Sequence, residues 1–148
     1  MTFFQFEADF IKSLRCIPMQ VRYKLDTCGI KLKLQQWHQF SDRDRQILVE
    51  MPCETASEIP AYRQFLCDTL RERTGETAKD LPIDPHPPWL SGDRIPADVL
   101  EKAESCEVKI PIDRWKNLTP LQRFVLIKLS RPSHENKNFV PALQEFGL

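Results

Sequence analysis

The chain has 148 residues, 41% of them hydrophobic and 28% charged, a balance that suits one domain with a real core and excludes wholesale disorder. Lys plus Arg equal Asp plus Glu at 21 each, so no net field draws the protein toward nucleic acid or an anionic membrane. No run approaches the ~18 uncharged apolar residues of a membrane-spanning helix, and the start Met1-Thr2-Phe3-Phe4-Gln5-Phe6-Glu7 lacks the basic region of a signal peptide; both features point to the cytoplasm.

In chain order, Phe3, Phe6, Phe10 and Leu14 recur at helical spacing and predict an amphipathic helix at the N-terminus. Pro18 then sits where a helix tolerates proline, at its first turn. Val21, Leu25 and Cys28 make one apolar stripe on that helix, and Gly29 supplies its C-cap. Ile30-Lys31-Leu32-Lys33-Leu34 alternates with period two and predicts a short extended segment. Trp37 follows as a large core anchor, and Ser41-Asp42-Arg43-Asp44 opens the next helix in the manner of a capping box. A third helix is expected from about Ser57 to Thr74, with Ile59, Tyr62, Leu66 and Leu70 inward and Gly75 as its stop. Leu81 to Leu90 contains four prolines and reads as a stiff extended connector.

After the connector the pattern starts again. Shifted by 78 residues, Ile17-Pro18 falls on Ile95-Pro96, Val21 on Val99, Lys24 on Lys102, Cys28 on Cys106 and Lys31 on Lys109. Trp37 falls on Trp115, Arg45 on Arg123 and Leu48 on Leu126, with no gap from Ile17 to Met51. Thr119-Pro120-Leu121-Gln122 repeats the capping box. The helix Leu121 to Leu129 is apolar nearly all round, which predicts a central position. Glu107 stands where Gly29 does, so a different cap is expected there, and Pro111 demotes 108–112 to an edge strand or ordered linker. A final helix after Ser133 carries Phe139, Leu143 and Phe146. The expected fold is mostly α, a single domain of two pseudo-twofold-related helical repeat units, about 17–75 and 95–148, joined by the connector 81–90, with short extended segments at 30–34 and 108–112.

The chemistry-bearing motifs are few. Gly29, Gly75, Gly92 and Gly147 are too scattered to build a phosphate-binding loop. Cys16, Cys28, Cys53, Cys67 and Cys106 form no Cys-x-x-Cys, and His38, His86 and His134 do not pair at helical spacing. Five thiols without a secretory signal read as reduced, mostly buried cysteines. No catalytic residue, metal site or resident cofactor is therefore expected, although a site assembled only in space, with Cys16, Cys28 or Cys106 as ligands, stays open.

Two segments hold more polar function than a scaffold requires: one around Arg15 and Arg22, the other Ser130-Arg131-Pro132-Ser133-His134-Glu135-Asn136. In the second, Ser133 would cap a helix whose free N–H groups favour an anion, with Arg131 beside them, a place suited to a partner's carboxylate. The same polar groups can equally satisfy one another. Trp89 is either a partner anchor or a tryptophan pinning the connector to the core. The expected partner-binding set is Arg15, Arg22, Trp89, Arg131, Ser133, His134, Glu135 and Asn136. The stretch from Arg131 onward has its counterpart around Cys53 to Ser57, where the residues differ, so function is sought where the two halves diverge.

Four runs carry a family resemblance: Phe6-Glu7-Ala8-Asp9-Phe10 with Leu14-Arg15-Cys16-Ile17-Pro18-Met19, Lys24 to Leu32, Leu118 to Phe124, and Leu129 to Asn136. In these the chain resembles the cyanobacterial nitrate reductase-associated protein family, along nearly its whole length and with the Pro-rich connector in place. The resemblance implies a role beside ferredoxin-dependent assimilatory nitrate reductase, an enzyme with a molybdopterin guanine dinucleotide and an iron–sulfur cluster. Members are encoded near nitrate reductase and molybdenum-cofactor genes, and some are needed for an active enzyme. The family defines no catalytic residues. The expectation is a non-enzymatic accessory or maturation factor that binds the reductase, with a cofactor carrier or a small cofactor-handling enzyme as alternatives.

Overall fold

A computed structural model describes Phe4, residues 16–131 and residues 138–148. The expected N-terminal helix through Phe3, Phe6, Phe10 and Leu14, the candidate Arg15, and the candidates Ser133, His134, Glu135 and Asn136 lie outside the described residues. The fold is mostly helical, with a single two-stranded antiparallel pairing among the described residues. The chain divides into two compact units, and the boundary between Ile83 and Asp84 falls inside the Pro-rich connector. No helix among the described residues is long and apolar enough to cross a membrane.

The first unit holds α1 (Met19–Cys28), β1 (Ile30–Lys31), α2 (Leu34–His38), α3 (Asp42–Glu50), α4 (Glu58–Thr74) and β2 (Lys79–Asp80). Pro18 is the N-cap of α1, and Gly29 closes the helix in the left-handed region at φ 76°. Val21, Leu25 and Cys28 are buried as a stripe and meet Tyr62, Leu66 and Leu70 of α4 in one core with Trp37 and Leu48. Ser41 and Asp44 form a reciprocal capping box at α3. Asp44 also accepts from Arg73 Nε at 2.8 Å, which ties the start of α3 to the end of α4.

The alternating segment is extended over only two residues. Ile30 and Lys31 pair with Asp80 and Lys79, and Leu34 already begins α2. Their partner is therefore the segment just ahead of the connector and not the second alternating segment. Gly29 is where this happens: its carbonyl accepts from the Leu81 N–H at 2.9 Å. A Cβ on Gly29 would lie 2.8 Å from Ile83, so both the backbone angle and the close approach require glycine here.

The second unit holds a 3-10 turn (Pro88–Leu90), α5 (Ala97–Ser105), α6 (Ile112–Lys116), α7 (Pro120–Ser130) and α8 (Phe139–Glu145). α7 packs against the 3-10 turn, α5 and α8. Its Phe124, Val125, Leu126, Ile127 and Leu129 are all buried, as an all-round apolar helix requires. Thr119 and Gln122 close the second capping box, with Pro120 in the first turn. Residues 108–111 are an ordered linker and Ile112 starts α6. Helix starts in the two units fall at equivalent positions: Met19 and Ala97, Leu34 and Ile112, Asp42 and Pro120.

The expected difference in the cap is found. α5 ends at Ser105 and is capped by Cys106 at φ −95° and ψ 6°, with Glu107 following in the left-handed region at φ 58°. The exposed Glu107 has space for its Cβ and meets only the conformational cost of that region. Cys106 is half-buried, unlike Cys28, so the stripe of Val99 and Ala103 ends one turn early.

Candidate functional site

The end of α7 positions the described part of the candidate face. Phe124, Lys128 and Arg131 follow one another at i, i+4 and i+7, so Arg131 comes off the helix in line with the other two. The Lys128 ammonium lies 5.3 Å from the centroid of the Phe124 ring, a cation–π distance. Trp89 meets the same Phe124 edge-on, with centroids 5.0 Å apart and planes at 90°. Arg131 is exposed and extended (φ −83°, ψ 151°), and its N–H donates to the Lys128 carbonyl at 3.3 Å. A half-buried indole, a cation seated on an aromatic ring and an exposed guanidinium thus lie along one side of the second unit.

Trp89 is held from beneath. Its carbonyl accepts from Arg123 Nε at 2.7 Å, while Arg123 Nη1 donates to Leu118 at 2.8 Å and to Trp115 and Lys116 at 3.4 Å. Arg123 is only 5% exposed. It joins the connector to the end of α6 and the cap of α7, which gives a single buried guanidinium several carbonyls to satisfy. Gly92 makes room for it: a Cβ there would lie 3.0 Å from Lys116 Cα and 3.2 Å from Arg123 Nη1. Trp89 accordingly pins the connector, with its indole half-buried.

Arg22 belongs to the first unit. Its Nε donates to the Ile17 carbonyl at 3.1 Å, across the start of α1. Arg131 and Trp89 are thus brought to one side of the second unit, and Arg22 sits on the other unit. Of the cysteines considered as ligands, Cys16 and Cys28 lie in the first unit and Cys106 in the second. Among the described residues no group of three or more His, Cys, Asp or Glu stands ready to hold a metal ion.

One polar centre was not singled out from the sequence. Lys24 reaches from α1 to the end of α3, donating to the Val49 and Met51 carbonyls at 2.6 and 2.7 Å. Its ammonium lies 5.6 Å from the Tyr62 ring centroid. A cation on the last carbonyls of a helix satisfies groups that the helix itself leaves open. Burial lowers the Lys24 pKa, opposed by the nearby charges of Cys53 and Glu54.

A family profile described as conserved nitrate reductase-associated protein matches residues 3–146. The chain belongs to that family. No curated protein and no solved structure matches it. Membership covers the connector, both units and the segment around Arg131, so the nitrate reductase-associated protein described here is matched through every element that carries its candidate face.

Proposed function

We propose that this protein is a non-enzymatic accessory or maturation factor for ferredoxin-dependent assimilatory nitrate reductase, acting in the cytoplasm of a cyanobacterium by binding the reductase polypeptide. Membership of the nitrate reductase-associated family along residues 3–146 carries the reading. Trp89, Lys128 and Arg131 support it chemically: an aromatic anchor beside two cations suits an acidic, partly apolar surface of a protein partner. Arg15, Arg22, Ser133, His134, Glu135 and Asn136 belong to the same proposed contact set. The factor holds the reductase before or during insertion of its molybdenum cofactor, in the manner of a dedicated chaperone.

The scaffold itself we read as one unit duplicated, with the two copies related by a pseudo-twofold. The gapless register from Ile17 to Met51 supports this, as do the equivalent helix starts and capping boxes. Under this reading the copies provide the fold, and the segment after Arg131 provides the function.

A strain lacking the protein tests the proposal. It should accumulate reductase polypeptide that is inactive and short of molybdenum cofactor, and the wild-type gene should restore activity. Normal reductase activity in the deletion strain would refute it. A cofactor carrier is the alternative, and purified protein with visible absorbance or stoichiometric metal would favour it. A pterin held near Arg131 and His134 would favour a small enzyme of cofactor handling.

A further inference from the structure

Cys28 and Cys53 are both 2% exposed and share one core cluster, although 25 positions separate them. Cys28 Sγ donates to the Leu25 carbonyl at 3.8 Å, and Cys53 Sγ donates to the Lys24 carbonyl at 3.8 Å. Two thiols therefore rest on successive carbonyls of α1, one from the last turn of the helix and one from the loop after α3. Both are reduced. Lys24 belongs to the same turn and sends its ammonium to the carbonyls of Val49 and Met51, just ahead of Cys53. We infer that Cys28 and Cys53 form a redox-active dithiol, closed to an intramolecular disulfide by hydrogen peroxide and reopened by a dithiol reductant.

The surroundings divide the roles of the two sulfurs. The neighbouring Cys28 thiol, together with the charge of Lys24, outweighs burial and holds the Cys53 thiol below its ordinary range. The neighbouring Cys53 sulfur and burial push Cys28 up. Cys53 is therefore the attacking thiolate. Its sulfur attacks one peroxide oxygen, the O–O bond breaks, and hydroxide leaves to be protonated as water. Cys53 is now a sulfenic acid, oxidised by two electrons. Cys28 gives up its proton and attacks the Cys53 sulfur, the S–O bond breaks, and a second water leaves as the S–S bond forms. Two thiols and one peroxide become one disulfide and two waters. The bond would fasten the end of α1 to the loop that leads into α4. Position 53 corresponds to Arg131 in the second unit, so this pair exists only in the first.

The test is made on the whole protein. Folded, reduced protein is treated with hydrogen peroxide, quenched, denatured under alkylation and digested. The expected result is a fall from five free thiols to three, a mass lower by two hydrogens, and one cross-linked peptide joining Cys28 to Cys53, all reversed by dithiothreitol. The triple variant Cys16→Ser/Cys67→Ser/Cys106→Ser should lose both remaining thiols without dimerising. Cys53→Ser should keep all four of its thiols. Retention of five thiols in the wild-type protein would overturn the inference, as would a disulfide through Cys16, Cys67 or Cys106, or loss of the pair only to sulfinic or sulfonic acids.

Discussion

Arg123 donates to the carbonyl of Trp115, eight residues before it, and Arg45 makes the same bond to the carbonyl of Trp37 at 3.1 Å. In each unit a guanidinium from the first turns of one helix closes the end of the short tryptophan helix before it. Both tryptophans are fully buried. Arg45 adds the His38 carbonyl at 2.8 Å, and Arg123 adds Leu118 and, from the connector, Trp89.

The Trp37 and Trp115 carbonyls keep the backbone N–H groups of Phe40 and Leu118 as donors, so the larger loss is at Arg123, whose removal takes the donor from the buried Leu118 carbonyl. Arg123→Met should cost about 2–3 kcal/mol, the penalty of leaving a buried polar group unsatisfied, and Arg45→Met about 1 kcal/mol. Arg123→Met should also loosen Trp89, read as a red shift of tryptophan fluorescence in the native baseline. Urea denaturation of both variants checks the first claim.

Gly29 and Glu107, both at positive φ, predict opposite outcomes. Gly29→Ala places a Cβ 2.8 Å from Ile83 in a left-handed residue, and should lower stability by at least ~1–2 kcal/mol. Glu107→Gly relieves a non-glycine residue at φ 58°, and should raise stability by up to about 1 kcal/mol after the added freedom of the unfolded chain is counted. Thermal melts of the two variants should move in opposite directions.

Acid stability should depend on Asp44. Burial alone would raise its pKa, but the Arg73 hydrogen bond and the Ser41 bonds outweigh that and hold the carboxyl below its ordinary range. A depressed folded-state pKa contributes stability above the unfolded value near 4, and this is lost as pH falls through the lower folded value. Asp44→Asn should therefore destabilise the protein at neutral pH and flatten the loss of stability as pH falls below about 4. Stability measured against pH, with Arg73→Met as the partner variant, checks the sign.

Charge reversal separates the two arginines of the proposed contact set. Arg131 is exposed at the end of α7, so Arg131→Glu should leave the melting temperature within a degree or two and weaken reductase binding at least tenfold. Arg22 holds the Ile17 carbonyl, so Arg22→Glu should lower the melting temperature as well. A calorimetric melt and a binding assay on the same preparations decide between contact and scaffold.

Much of the scaffold was legible because the features that encode it are local. Pro18, Gly29, Ser41, Gly75 and Thr119 act through their own backbone or the next turn, and a capping box or left-handed stop can be read from a few residues. The apolar run Leu121 to Leu129 likewise announces a buried helix. The extended segments are shorter than expected because period two over five residues cannot say where a helix starts, and Lys33 and Pro111 prove to be N-caps. The candidate face was legible only in parts: Arg131 and Trp89 stand out by composition, but the role of Phe124 and Lys128 in lining that side depends on packing. Lys24 and the pairing of Cys28 with Cys53 carry no local signal, because their partners are brought together only by the fold.

Binding of nitrate reductase underlies the proposed role. Purification of tagged protein from nitrate-grown cells, with and without a block in molybdenum-cofactor synthesis, reads this binding out. The reductase polypeptide should co-purify, its recovery should rise when cofactor insertion is blocked, and Arg131→Glu should reduce it. No association of the reductase in either condition would rule the role out.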